Sequence, residues 1–512
     1  MKKSASILSL LLVLAVVLSA CAPGNVTQTQ HENHEWITVT TPATCQAGGF
    51  DTNTCSICGM VEICNETPIG THVYRKTYSY DDEYHWFQCE TCDSTKEKQA
   101  HTVDDAGICA VCDHLTRPTE GILYGWDDHL DYAWVVDCPK AATRVRIAEE
   151  YQGRPVTHIR ERAFHKKNIT TVIIPDSVTT IGPEAFLHCS KLTDVVIGNG
   201  VIVIESSAFA HCSSLTSVRI PNGVIWIMDG AFTNCTSLTN IEIPESVTEL
   251  GQAFSGCTSL TNVKLSNGLT VLYPYTFRDC TSLTSVVIPN SVTVINGKTF
   301  NYCTALTSVV IPDSVTMIGP DAFKGCSSLQ YAEYAGGKYL GNPENPYLAL
   351  IEISNKEAAS YTIHNDTKII ASRMFYECAS LTGIVIPDGV TAIGYEAFYN
   401  CTGLTSVTLG SGLITIDHSA FYGCTGLTKI VIPNGVSTID GAAFANCSSL
   451  SSVEIPKSVT TISYSAFRFC ESLTEIHYQG SKAQWQSIEK RENWIDKDCT
   501  IHCADGDLVE KP

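Results

Sequence analysis

Along most of the chain, apolar and polar positions recur in one fixed order. One unit reads Leu215-x-x-Val218-x-Ile220-Pro221-Asn222-Gly223-Val224-x-x-Ile227-x-x-x-Ala231-Phe232-x-x-Cys235. Val218 and Ile220 alternate with Ser217 and Arg219, which predicts a short strand with one buried face. Pro221 ends that strand because it has no amide to donate, and Asn222-Gly223 turns the chain. Val224 and Ile227 are expected to point back inward, and Ala231-Phe232 to start a short helical or 3₁₀ turn. No single unit can bury such a face, but stacked units can.

The anchor phenylalanines run from Phe164 through Phe186, Phe209 and Phe232 to Phe467. Their spacing is 22 or 23 residues, with one gap of 52 after Phe323. A period of about 20–29 residues is that of leucine-rich repeats. The expected fold is therefore an α+β solenoid of about 13 such units, with short strands and short helical or 3₁₀ turns. The phrase L-x-x-I-x-I-P-x-x-V-x-x-I-G-x-x-A-F-x-x-C resembles the BspA-like leucine-rich repeats of bacterial surface proteins, over about residues 142 to 478. The resemblance implies a surface protein associated with adhesion to host proteins or other cells.

Two stretches depart from the phrase. The first unit has Lys167 where the cysteine belongs. Residues 327–374 read as one degenerate unit, enlarged by an irregular hairpin over 330–365. The repeats are placed at 148–478. Before them, Tyr132, Trp134 and Val136 alternate and, with Gly121 to Tyr124, predict a strand pair capping the array over 119–147. The closing segment, 479–512, contains Trp485, Ile488, Cys499 and Cys503 and resembles the C-terminal cap seen in this family.

Twelve of the 24 cysteines stand three residues after an anchor phenylalanine. Neighbouring coils about 4.8 Å apart would permit disulfides on distance alone. Equivalent side chains in a stack point the same way, however, and the long gap divides the series into seven and five, neither of which pairs off fully. A small buried thiol suits the position, so the regular cysteines are read as core.

The remaining cysteines tell a different story. Cys55-x₂-Cys58, Cys89-x₂-Cys92 and Cys109-x₂-Cys112 are paired thiols within a Cys-rich module placed at 45–115. The last two pairs have zinc-ribbon spacing, and the module resembles zinc-ribbon-like inserts of bacterial surface proteins. One structural zinc on Cys89, Cys92, Cys109 and Cys112 is the first reading, with a weaker second site at Cys55, Cys58 and His72. Disulfides, favoured outside the cell, are the alternative. Either staple suits a module with few core apolar residues.

The N-terminus changes the setting. Met1-Lys2-Lys3 followed by an apolar run from Ile7 to Leu18 forms a secretory signal over 1–20. Leu18-Ser19-Ala20-Cys21 resembles a bacterial lipobox, which implies lipidation of Cys21; a plain signal cut near Ala20 is the alternative. Residues 21–44 read as a flexible tether. The protein is then expected on the extracellular face of the bacterial membrane, held by a lipid anchor.

A net charge of −20 argues against nucleic acid or an anionic membrane surface as partner. His31-Glu32-Asn33-His34-Glu35 fails as a zinc-protease motif because Glu35 stands where histidine is required. No nucleophile elbow, phosphate loop or small-molecule substrate site is evident, so no enzyme is expected. The reading is a cell-surface binding or adhesion protein for extracellular or host proteins, glycans or other cells. A structural envelope spacer is the alternative, and a surface hydrolase a remoter one. Read in order from Ile173 and Val196, the outward residues of successive strands include Arg219, Glu242, Lys264, Val287 and Val310, which are the candidate binding residues; the alternative for the valines is a good strand former copied along with the repeat. Arg219, Glu242 and Lys264 are expected to form a ladder of alternating charge, bordered by an apolar strip.

Overall fold

The structure is a computed structural model. It describes residues 117–511 apart from Asp128 and, before them, six strands between Trp36 and Ala100. The chain divides into two units, Met1–Thr116 and Arg117–Pro512. In the first, Trp36–Thr41, Gly49–Cys55 and Val61–Thr67 form an antiparallel sheet, as do Ser79–Tyr80, Tyr84–Gln88 and Thr95–Ala100. The strand Trp36–Thr41 lies inside the stretch read as tether. Its β-branched run, Ile37-Thr38-Val39-Thr40-Thr41, is a strand former by composition.

The second unit is a solenoid whose coils are joined by three hydrogen-bonded columns. One column is the expected strand, as in Asp194–Ile197, Asn240–Glu242 and Ser285–Val287. The next is a two-residue strand at the returning segment: Thr180–Ile181, Val203–Ile204, Trp226–Ile227 and Glu249–Leu250 pair in parallel and in register. Its isoleucines and leucine are buried, whereas Val203 is half-buried and Trp226 exposed. A two-residue strand is too short to leave a periodic signal.

The third column corrects the expected helical turn. Among the described residues the α-helix is Lys482–Ser487, at the C-terminal cap. At every anchor phenylalanine except Phe323, alternate amides leave the turn and donate to the next coil. Phe164 N–H donates to the Ala185 carbonyl at 2.7 Å and Lys166 N–H to Leu187 at 2.9 Å, while His165 and Lys167 bond within their own turn. A helix would need all of these amides internally. The sharing goes with left-handed backbone two residues after the phenylalanine and, except at Gln252, two residues before it, as at Glu184 and His188, or Ser207 and His211. Asn, Asp, His and Gly recur at the later position (Asn234, Asp279, Asn400, Gly256), the types that tolerate it.

The core follows from the stack. The phenylalanine rings lie nearly parallel, with centroids from 4.6 Å (Phe164–Phe186) to 5.8 Å (Phe254–Phe277). All twelve regular cysteines are buried and free. They also do something that the sequence reading missed: Cys235 Sγ–H donates to the Phe209 carbonyl of the preceding coil at 3.2 Å, and Cys257 does the same to Phe232. Each such carbonyl already accepts the amide of its own coil's cysteine. The thiol is therefore both filler and a weak rung between coils. A serine at this position keeps a donor. Cys235→Ser is expected to cost only about 1 kcal/mol, and Cys235→Val, which leaves the carbonyl one donor short, about 1–3 kcal/mol; urea unfolding of the two variants distinguishes them.

The exceptional Lys167 is explained by its place. No earlier phenylalanine carbonyl stands beneath it, and its ammonium instead donates to the Cys138 carbonyl and pairs with Asp137, both at 2.6 Å. In the N-terminal cap, Leu123–Trp126 pairs antiparallel with Ala133–Asp137, which continues the two-residue strand column. Ala133 and Val135 are the inward residues there, while Tyr132 and Trp134 are half-buried and Val136 exposed. At the far end, the buried Trp485 donates its indole N–H to Glu510 at 2.7 Å, and Trp494 packs edge-on against Phe467. Cys499 and Cys503 are free.

Residues 332–353 form an antiparallel meander, Ala332–Tyr334, Gly337–Leu340 and Ala349–Ile353, the last strand running parallel to Ile369–Ile370. The meander separates Phe323 from Phe375. Unlike the thiols on either side of it in the series, that of Cys378 reaches no phenylalanine carbonyl among the described residues.

Candidate binding face

The first strands present one outward residue per coil, and the structure sorts the expected series. Glu242 and Lys264 stand opposite each other in a parallel pair and form an ion pair of 2.5 Å. Glu242 raises the Lys264 ammonium above its ordinary value. Both side chains are exposed, so the pair contributes little to stability.

Arg219 does not extend this ladder. Residues 218–220 join no strand; a single bridge, Ser217 to Asn240, ties this coil to the next, and Arg219 makes no ion pair with Glu242. Earlier in the series Ile173 is buried instead of outward. A charge step that the sequence reading passed over is Lys429 to Glu454, at 2.6 Å.

Val287 and Val310 stand directly opposite in the parallel pair Ser285–Val287 and Ser308–Val310. They are 68% and 36% exposed. The structure also brings them to the hairpin. Ile311 N–H donates to the Gly341 carbonyl at 2.9 Å, and the Asn342 amide donates to Asp313 at 2.9 Å. Asn345 N–H in turn donates to the Asn342 side chain at 2.8 Å, closing the tip on itself. Val287, Val310, Pro312, Asn342, Pro343 and Glu344 thus line one cleft of about 380 Å³. An apolar floor with a polar, hydrogen-bonded rim is suited to holding a ligand group that has both characters. From the sequence the strip and the hairpin read as separate candidates, because the contact between them is tertiary.

The expected metal ligands Cys58, His72, Cys89, Cys92, Cys109 and Cys112, and the lipidation residue Cys21, lie outside the described residues. So does the side chain of Cys55, whose backbone ends the strand Gly49–Cys55. Among the described residues no cluster of three or more His, Cys, Asp or Glu side chains is placed to hold a metal ion, and no helix is long and apolar enough to cross a membrane.

The coil, with its strand, return and phenylalanine turn, has counterparts of known family. Residues 157–252, 251–338 and 368–489 match the BspA type leucine rich repeat region, in six copies. The chain belongs to the BspA-type leucine-rich repeat family. Among solved structures, a leucine rich cell surface protein from Faecalibacterium prausnitzii A2-165 is 31% identical, covering 77% of this chain and 98% of its own, with a TM-score of 0.37. A leucine-rich repeat protein from Bacteroides ovatus is 26% identical over 75% of this chain and 98% of its own, TM-score 0.42. The leucine rich repeat protein of T. pallidum is 27% identical over 42% and 91%, TM-score 0.34. Comparison with curated protein sequences finds no match. Members of the BspA-type family are leucine-rich repeat scaffolds, and a binding role is consistent with that architecture.

Proposed function

We propose that this BspA-type protein is displayed on the outer face of a bacterial membrane through a lipid on Cys21, and that it binds extracellular or host proteins or glycans. The observation that carries the reading is the cleft of Val287, Val310 and the Asn342–Glu344 tip. What sets this pair of exposed valines apart from those at Val385 and Val431 is the hydrogen-bonded rim that makes it one wall of a cleft. The charged step Glu242–Lys264 flanks Val287 and Val310 along the same column and supplies orientation more than affinity.

Binding is tested on arrays of extracellular-matrix proteins and mucosal glycans. Val287→Asp with Val310→Asp is expected to abolish binding of whichever component the wild type retains, while lowering stability by about 1 kcal/mol. Undiminished binding by that variant removes the cleft from consideration.

The Cys-rich module carries a second proposal, one structural zinc on Cys89, Cys92, Cys109 and Cys112, from the spacing of those pairs alone. Elemental analysis of the exported protein is expected to find about one zinc per chain, lost when Cys89 and Cys92 are replaced by serine. Metal-free protein with those thiols oxidised would make the module a disulfide knot.

A further inference from the structure

The turn column runs in one direction, with amides donating toward the C-terminal neighbour, and it is interrupted once. In the last regular step before the meander, Lys298, Phe300 and Tyr302 donate to the carbonyls of Pro320, Ala322 and Lys324 at 3.0, 2.8 and 2.8 Å. The equivalent amides of the next coil belong to Asp321, Phe323 and Gly325. The meander supplies no turn to receive them, and they donate to nothing among the described residues. Asp321 and Gly325 have left-handed backbone, at φ 57° and 81°, as the turn requires. Alternation of this kind holds amides in a concave row that favours anions.

These three residues line a cleft of about 440 Å³, together with Lys324, Lys356 and Ser372. Ser372 is 5% exposed and its hydroxyl has no partner. Lys356 lines the same cleft. Its ammonium donates to the Tyr376 carbonyl at 3.1 Å, the acceptor that Gly325 would meet in an uninterrupted stack. The acids on the rim are already engaged: Asp321 by Lys324 at 3.4 Å, and Glu352 by Lys338 at 3.1 Å. Lys356 has no carboxylate partner among the described residues.

The far end of the array shows what such a donor takes. There the stack gives way to the cap, with the Phe467 N–H still donating to the Trp494 carbonyl at 2.8 Å. Phe469 stands two residues after its anchor, as Gly325 does, and its N–H donates to the Asp496 carboxylate at 3.1 Å. We propose that the cleft at the interruption is a carboxylate-binding site. A carboxylate sits on the Phe323 and Gly325 amides and is balanced by Lys356, with charge-assisted bonds on both sides. The site stands on the turn column and is independent of the valine cleft.

Lys324-Gly325 is the only Lys-Gly pair in the sequence. The full-length protein labelled with carbonyl-¹³C lysine and ¹⁵N glycine therefore gives a single paired amide resonance, that of Gly325. Acetate and N-acetyl-dialanine, titrated separately, are expected to move this resonance saturably, and acetamide to leave it in place. A shift with acetate alone assigns the site to free small acids; a shift with both extends it to peptide C-termini. Lys356→Met is expected to weaken binding by about tenfold, with the Gly325 resonance itself retained as proof that the turn is intact. No saturable shift with either carboxylate, an equal shift with acetamide, or an affinity unchanged in Lys356→Met overturns the proposal.

Discussion

Phe232→Ala is expected to lower the stability of the array by about 3–5 kcal/mol. The ring is fully buried between Phe209 and Phe254, at centroid distances of 5.3 and 5.5 Å. Removing it leaves a void that neighbours cannot close. Their turns are fixed by hydrogen bonds from coil to coil, Phe209 to Ala231 and Phe232 to Ala253, at 2.7 and 2.8 Å. Because each coil touches mainly its neighbours, the loss concentrates at one point in the stack and favours separate unfolding on either side. Tyr302→Ala, on an exposed part of the same column, is the control and is expected to change stability by about 0.5 kcal/mol or less. Urea unfolding monitored by circular dichroism reads both; equal effects would mean that the ring column is not what holds the coils together.

Alkaline pH is expected to unfold the array steeply, through the cysteine column. Burial pushes the thiols of Cys189, Cys257 and Cys401 up to about 12 and that of Cys378 up to about 11. In the unfolded chain a thiol ionises near its ordinary value of about 8.5. Below that value both states hold the proton and these groups contribute no pH dependence. Above it the unfolded state has released the proton and the folded state has not, so stability falls as pH rises, from about pH 9 up to the folded values. Each thiol contributes about 1.4 kcal/mol per pH unit, and these four together about 5 kcal/mol. Against a domain stability of about 5–15 kcal/mol, one to two pH units above 9 suffice. Circular dichroism against pH, under reductant, is expected to show a sharp loss of structure there. The slope of stability against pH should flatten when the four are replaced by alanine, whatever those replacements do to stability itself. An unchanged slope would mean that the thiols ionise equally in both states.

Much of this architecture was legible in the sequence, because a repeat states its core many times over. The period, the anchor phenylalanines and the buried cysteines are side-chain choices, each made again in nearly every coil. What the sequence concealed were backbone relations. The two-residue strands at Val203–Ile204 and its equivalents are too short for alternation to register. The phenylalanine turn looks helical by composition, yet its alternate amides go to the next coil. The recurrence of Asn, Asp, His and Gly two residues after the phenylalanine was the available sign of left-handed backbone. The thiol donors were hidden for the same reason, since their acceptors are main-chain carbonyls of another coil.

At the candidate binding face the outward register held for Glu242, Lys264, Val287 and Val310. It failed at Ile173, which the structure buries, and at Arg219, whose coil forms no strand. The meeting of the valines with the Asn342 hairpin tip was not legible at all. It depends on how the longer unit folds back, and no local pattern encodes that.

The central claim is that the regular cysteines are buried, unpaired elements of a stacked core. It is tested most directly by counting reactive thiols in the full-length protein, purified and denatured without reductant. Fifteen cysteines of the second unit are free in the structure, all but Cys503 buried. The folded protein is expected to leave the fourteen buried thiols unreacted, and the denatured protein to expose at least fifteen. A denatured count well below fifteen would show that coils are bridged by disulfides, and rapid labelling of the folded protein would show that the column is not core.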